Sequence, residues 1–166
     1  MVDHLFYIRF ITSSNIAYTW ITQVNDCLPA PVFWLSMSAP AESTYIPLAV
    51  APLPEAYAKN DRSHYDSGKA WWIAQQVTAL TKGYYSAVAP KVLDAAHKGE
   101  KRSMELVAAS SGWPKEIFAQ VLRDNAESAL SGWRELYGTL LAEHDGGHGL
   151  DYDKAFQPKP DKVLKY

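Results

Sequence analysis

The sequence has one cysteine, Cys27, and no run of apolar residues near the ~18–20 that a membrane-spanning helix requires. A single cysteine excludes an intrachain disulfide. The 16 Lys and Arg face 18 Asp and Glu, for a formal net charge of −2, and form no basic block or stripe. Because nucleic acids and anionic membranes attract concentrated positive charge, we expect neither as a partner.

The beginning of the chain also lacks the features of a secretory leader. The stretch "MVDHLFYIRFI" has no charged head, no long apolar middle and no small-residue cleavage site. This pattern slightly favours the cytoplasm and otherwise leaves the compartment open.

Aromatic residues, by contrast, are abundant. Six Trp, ten Tyr and five Phe in 166 residues predict one aromatic-rich core. Segments over 4–11, 15–24, 32–38 and 44–51 are rich in β-branched and aromatic residues, with turn residues between them. These short turns leave no room for helical crossovers, so we predict four antiparallel strands in a meander. Pro47 cannot donate to a β-ladder, which places the last strand at an edge or a bulge.

After a linker, helical periodicity begins. Apolar spacing predicts helices over about 67–83, 85–96, 100–110 and 114–143. Ser67 is the predicted N-cap of the first helix and Gly83 its terminator. Pro90 either kinks the second helix or marks its start, and Ile117 is among the inward-facing residues of the fourth.

Strands followed by helices indicate a fold of the α+β class, with helices packed on an antiparallel sheet. We expect a single domain over 1–143, with strands over about 4–51 and helices over about 67–143. Residues 144–166 show no periodicity and are predicted to be an irregular tail.

Cys27 is the first candidate for chemistry. A catalytic cysteine needs a lowered thiol pKa, supplied by a helix N-terminus, a His or a basic group. The sequence neighbours of Cys27 are Asp26 and Leu28, and an adjacent carboxylate raises a thiol pKa. A small residue in a turn between two strands is therefore the favoured interpretation.

The stretch "HDGGHGLDYD", residues 144–153, offers two His and three Asp. His144 and His148 would share a helix face only if the helix crossed Gly146 and Gly147, and the spacing does not fit a calcium loop. We predict neither a metal site nor a cofactor.

A polar cluster interrupts the first two predicted strands. Arg9, Thr12, Ser13 and Asn15 lie within "RFITSSN". Such a break is either a simple turn or a site at a sheet end where a guanidinium and hydroxyls hold a carboxylate or an oxyanion. The residues alone leave both interpretations open.

Six sequence elements over about 5–110 share their order and approximate spacing with a known family. Together they resemble the C-terminal part of peptidase family C69, the cysteine dipeptidases related to the secernins. The matching positions are Thr12, Ser13 and Ser14, then Leu28 and Pro29, Trp34, Tyr45 and Pro47, and finally Ser67, Ala70, Trp71 and Trp72.

The resemblance implies an N-terminal-nucleophile hydrolase, built as an αββα sandwich and acting on small peptides. In that family a cysteine at the mature N-terminus is the nucleophile, and its own α-amino group is the base. This chain begins Met-Val-Asp-His, so the resemblance implies that the nucleophile lies outside it and that the chain alone is inactive. Cleavage before Cys27 would create such a cysteine but would discard two predicted strands, and is disfavoured.

The resemblance further implies that the chain needs a missing N-terminal half or a partner subunit. Arg9, Thr12, Ser13 and Asn15 are then the candidates for the substrate pocket. Without its partner sheet the chain should expose an apolar face, which would favour association, including with copies of itself. Two alternatives remain: an acylase-type amidase of the same superfamily, and a non-catalytic, secernin-like binding module.

Overall fold

The computed structural model describes residues 18–39, 42–58 and 65–144. These residues form an α+β structure with an antiparallel sheet and long helices, as the sequence predicts. The strands are β1 (Tyr18–Gln23), β2 (Val32–Met37) and β3 (Ile46–Ala49), and the helices are α1 (Ala70–Gly83), α2 (Tyr85–Ala108) and α3 (Lys115–His144).

The three described strands form a meander in the order β1-β2-β3. Tyr18 pairs with Met37 in the first hairpin, and Leu35 pairs with Ile46 in the second. Pro47 of β3 pairs with Trp34 of β2. Because β3 is an edge strand of the described sheet, the predicted edge position of Pro47 is confirmed. The strand predicted over 4–11 lies outside the described residues.

Helices cover both faces of β2 and β3. On one face, Leu35 and Leu48 pack with Ile73 of α1 and Leu130 of α3. The opposite face packs against the C-terminal part of α2 and the N-terminal part of α3. Its cluster contains Val32, Trp34, Val107, Phe118 and Leu122. Both faces of β2 and β3 therefore have helical cover, and among the described strands the exposed large apolar side chains lie on β1.

The start of α1 differs from the prediction. Its N-cap residue is Lys69, without a side-chain capping bond, so Ser67 is not the N-cap. The turn before the helix is instead organised by Asp66, whose Oδ1 accepts a hydrogen bond from Gly68 N at 2.7 Å. Gly83 is the last residue of α1, as predicted.

Helix α2 is a single helix of 24 residues, where the sequence predicts two. The helix begins five residues before Pro90 and continues through Gly99. Contacts with the segment before β3 hold it there, because Thr44 Oγ1 donates to Ala96 O at 3.4 Å and Tyr45 N donates to Glu100 Oε1 at 3.2 Å. These tertiary contacts outweigh the helix-breaking tendency of glycine, which is worth about 1 kcal/mol relative to alanine.

Helix α3 begins and ends close to the predicted limits, and Phe118 N donates to Pro114 O at 3.0 Å in its first turn. Its apolar stripe is shifted by one residue at this end. Phe118 is fully buried, whereas Ile117 is 55% exposed, so the inward placement of Ile117 is wrong. None of the described helices combines the length and apolarity that crossing a bilayer requires.

Candidate functional site

The candidate pocket residues from the sequence, Arg9, Thr12, Ser13 and Asn15, all lie outside the described residues. The same holds for the motif at 144–153, apart from His144, and for the rest of the predicted tail. Their assignment to a substrate pocket therefore stays a prediction.

Cys27 lies exposed in the turn between β1 and β2. Its backbone N donates to Asn25 Oδ1 at 2.8 Å, and Leu28 N donates to Asn25 O at 3.0 Å, which makes this the predicted polar turn. The thiol borders a groove of about 280 Å³, shared with Trp34 and Met104. None of the residues lining this groove is a Lys, Arg or His that could activate a thiol.

Strand β1 is the exposed side of the described sheet. Tyr18 and Trp20 are each 55% exposed, Ile21 is 40% exposed, and Val24 just beyond the strand is 74% exposed. Trp20 stacks on Phe33 of β2, with ring centroids 5.1 Å apart and planes inclined by 17°. Among the described strands β1 pairs with β2 alone, so its other backbone edge is open to a further strand.

A buried polar cluster lies at the other end of β2. The hydroxyls of Ser36 and Ser43 share a short hydrogen bond. Ser38 Oγ lies 3.0 Å from Thr78 Oγ1 and accepts from Gln75 Nε2 at 3.0 Å. Ser38 also has a φ of 76°, in the left-handed region that side chains other than glycine rarely adopt. These bonds hold a strained turn against α1.

A cavity of about 270 Å³ opens between α2 and α3, beside the start of β3. The two helices are linked near one end by an ion pair between Lys91 and Glu143, and the hydrogen bond from Lys91 lowers the pKa of the Glu143 carboxyl. Near the other end Asn125 Nδ2 donates to Ser103 Oγ at 3.1 Å. Between these ties the helices leave an opening.

The walls of this cavity combine positive charge, amide and hydroxyl groups, and apolar surface. The α2 wall carries Lys98 and Arg102, while the α3 wall carries Ser128, Trp133 and Leu136. No sequence motif marks these residues. The available signal was the i, i+4 spacing of Lys98 and Arg102, which puts two cations on one face of a helix.

Within the described ranges, no group of three or more His, Cys, Asp or Glu side chains is placed to hold a metal ion. Comparison of the chain with models of protein families and with curated proteins finds no match to either.

Proposed function

We propose that the chain is the C-terminal part of a cysteine dipeptidase, a hydrolase that cleaves the amide bond of small peptides. The ordered set of six sequence elements that resembles this family supports the proposal. The order of elements, antiparallel hairpins followed by long helices, is the one the resemblance implies. Helices cover both faces of β2 and β3, so in the proposed enzyme the second sheet of an αββα sandwich would have to pack elsewhere.

The observation that carries the proposal furthest is the open edge of β1. Exposed apolar side chains on an edge strand favour pairing with another strand, and proteins normally cover or charge such an edge. Among the described residues no strand pairs with this edge of β1, and its exposed side chains Tyr18, Trp20 and Ile21 carry no charge. In the proposed enzyme the sheet continues past β1 toward the part that carries the nucleophile.

The chemistry follows from a cysteine that begins a chain. Its α-amino group takes the thiol proton, the thiolate attacks the peptide carbonyl, and the C–N bond breaks as the amine leaves with a proton. Water then hydrolyses the thioester. In this scheme the chain supplies sheet, helical cover and part of the pocket. The proposed pocket residues are Arg9, Thr12, Ser13 and Asn15, whose guanidinium, hydroxyl and amide groups would hold the substrate carboxylate or the oxyanion.

The test is to express the coding region together with its upstream reading frame and to assay dipeptides beside acylated amines. We expect hydrolysis of dipeptides by that protein and none by residues 1–166 alone. Cys27→Ser is the matched control and should retain full activity. Preference for acylated amines would favour the acylase-type alternative, and loss of activity in Cys27→Ser would overturn the assignment of the nucleophile.

The cavity between α2 and α3 favours a second candidate, a non-catalytic binding module. An opening with cationic and hydroxyl groups beside an apolar wall has the features of a small-molecule site. A protein that binds a ligand there, and hydrolyses neither substrate class even with its upstream sequence, would support this candidate over the dipeptidase.

A further inference from the structure

We propose that the cavity between α2 and α3 binds a small organic carboxylate with an apolar body. Arg102 holds the carboxylate, and Trp133 packs against the apolar part. This inference goes beyond the dipeptidase proposal, because it concerns a cavity away from the open edge of β1 and stands whether or not the chain belongs to a hydrolase.

Arg102 is the cation available to a ligand. Its Nη1 reaches Ser128 Oγ at 3.5 Å, at the limit of a hydrogen bond, and it pairs with no carboxylate among the described residues. The guanidinium has five donors in a planar fork that matches a carboxylate in two parallel hydrogen bonds. Within the described part of the chain, most of these donors have no partner and are available to an anion in the cavity.

The charge around the cavity favours an anion over a cation. Lys98 also lines the cavity, but its ammonium group is exposed and paired with Asp94 at 2.7 Å, which leaves Arg102 as the main cation of the site. None of the residues lining the cavity, all within the described ranges, is an Asp or a Glu. A carboxylate entering here meets the positive charge of Arg102 and no carboxylate on the cavity walls.

The buried pair Ser103 and Asn125 supplies further polar contacts. The Ser103 hydroxyl accepts the bond from Asn125, and among the described residues its own proton is not committed elsewhere. A hydroxyl has one donor and two acceptor positions, so Ser103 can still donate to a ligand oxygen. Because Ser103 is 3% exposed, that bond would form in a largely dehydrated place, where it is stronger than at the surface.

The remaining wall selects for an apolar body and a small size. Ile46, Trp133 and Leu136 present hydrocarbon and aromatic surface to the opening. A volume of about 270 Å³ lies just below the ~300–1,000 Å³ of typical ligand pockets. An acid of the size of an N-acylated amino acid fits this volume, whereas inorganic phosphate would leave the apolar wall unused.

The first test compares two probes that differ only in having a carboxylate or a neutral amide at the same position. Calorimetric titration of the 166-residue chain with N-acetyl-L-phenylalanine should show binding, and N-acetyl-L-phenylalaninamide should bind at least about tenfold more weakly, since it cannot form the charged pair with Arg102. Equal binding of acid and amide, or no binding of the acid at millimolar concentration, would overturn the proposal. Inorganic phosphate binding as tightly as the acid would also overturn it.

A pair of charge variants on α2 locates the carboxylate. Arg102→Gln should weaken binding of the acid by about tenfold or more and leave binding of the amide unchanged. Lys101→Gln removes the same charge from the next residue, which lies outside the cavity and is largely exposed. If Lys101→Gln weakened binding as much as Arg102→Gln, the effect would be one of net charge and the assigned site would be wrong.

A pair of glycine variants on α3 locates the apolar part. Gly132 lines the cavity and Gly138 does not, yet both are exposed, and a Cβ at either would meet nothing within 4 Å apart from the adjoining backbone of its own helix. Gly132→Leu should abolish binding by projecting into the opening, while Gly138→Leu should bind as the unchanged chain does. Melting curves confirm that both variants are folded, and equal binding by the two would contradict the site.

Discussion

Tyr57 shows how a single buried side chain ties the loop after β3 to α3. The residue is 5% exposed, and its hydroxyl donates to Ala126 O at 2.9 Å. Burial raises the pKa of the Tyr57 phenol well above its usual range, and the nearby positive charge of Arg134 opposes this only in part. The neutral phenol is therefore the form that the fold requires.

The raised pKa predicts alkaline destabilisation. Because the folded chain binds this proton more tightly than the unfolded chain, the contribution of Tyr57 to stability is complete below about pH 10 and decreases as the pH rises further. Tyr57→Phe should cost about 1–2 kcal/mol at neutral pH and should reduce the loss of stability above pH ~10. Urea denaturation at neutral pH and above pH ~10 measures the free energy of unfolding of each variant. Tyr85→Phe, at an exposed tyrosine, is the control. If the stability of both variants depended on pH in the same way, the role assigned to Tyr57 would be wrong.

Ser38 combines backbone strain with side-chain hydrogen bonds, and two substitutions separate them. Ser38→Ala loses the bonds to Thr78 and Gln75 and keeps the strained φ, so we expect a loss of about 1–3 kcal/mol in the free energy of unfolding. Ser38→Gly loses the same bonds but relieves the strain, and should be about 1 kcal/mol more stable than Ser38→Ala. Denaturant titration decides, and an alanine variant as stable as the glycine variant would exclude strain at this position.

At the scale of elements, α2 depends on a close approach to the segment before β3. A Cβ at Gly99 would lie 3.3 Å from Thr44 Oγ1, which is tighter than ordinary contact. The glycine in mid-helix is therefore explained by the space between α2 and Thr44.

A pair of glycine-to-alanine changes tests this explanation. Gly138→Ala, in an open position on α3, should stabilise the chain by about 0.5–1 kcal/mol through helix propensity alone. Gly99→Ala should show little or none of this gain, because the added methyl group crowds Thr44. Thermal unfolding of both variants provides the measurement, and equal stabilisation would show that α2 and Thr44 are not tightly packed.

The sequence predicts correctly those elements that depend on residues close together along the chain. Alternation and turn residues gave β1, β2, β3 and the turn at Cys27, since these depend on neighbours along the chain. The continuity of α2 was missed because contacts of Thr44 and Tyr45 with it join residues more than 50 positions apart. The cavity was missed for the same reason: Arg102 and Trp133 lie on separate helices and meet only in the tertiary structure.

At the scale of the whole molecule, the exposed β1 is the surface at which we expect the chain to associate. The sequence predicts a strand over 4–11. That segment, another part of the proposed enzyme or a second copy of the chain could each pair with the edge of β1 that no described strand occupies. Self-association through this edge requires that Tyr18, Trp20 and Ile21 of β1 are not already covered by one of the other two occupants.

A charged residue in β1 should suppress pairing of this strand with a second copy of the chain. We expect the chain to self-associate at high concentration, and Ile21→Lys to shift it to the monomer without loss of helical content. Val50→Lys is the control, because Val50 is 79% exposed and lies beyond β3. Analytical ultracentrifugation makes the comparison, and an unchanged chain that stays strictly monomeric and binds no hydrophobic dye would contradict the open edge as an association surface.

The central claim is that the catalytic cysteine lies outside these 166 residues. It is tested most directly by inactivating the protein made from the extended reading frame with iodoacetamide during dipeptide hydrolysis, and then mapping the modified peptide by mass spectrometry. We predict that loss of activity follows alkylation of an N-terminal cysteine upstream of this chain. Loss of activity that follows alkylation of Cys27, or a protein that hydrolyses no dipeptide, would contradict the claim.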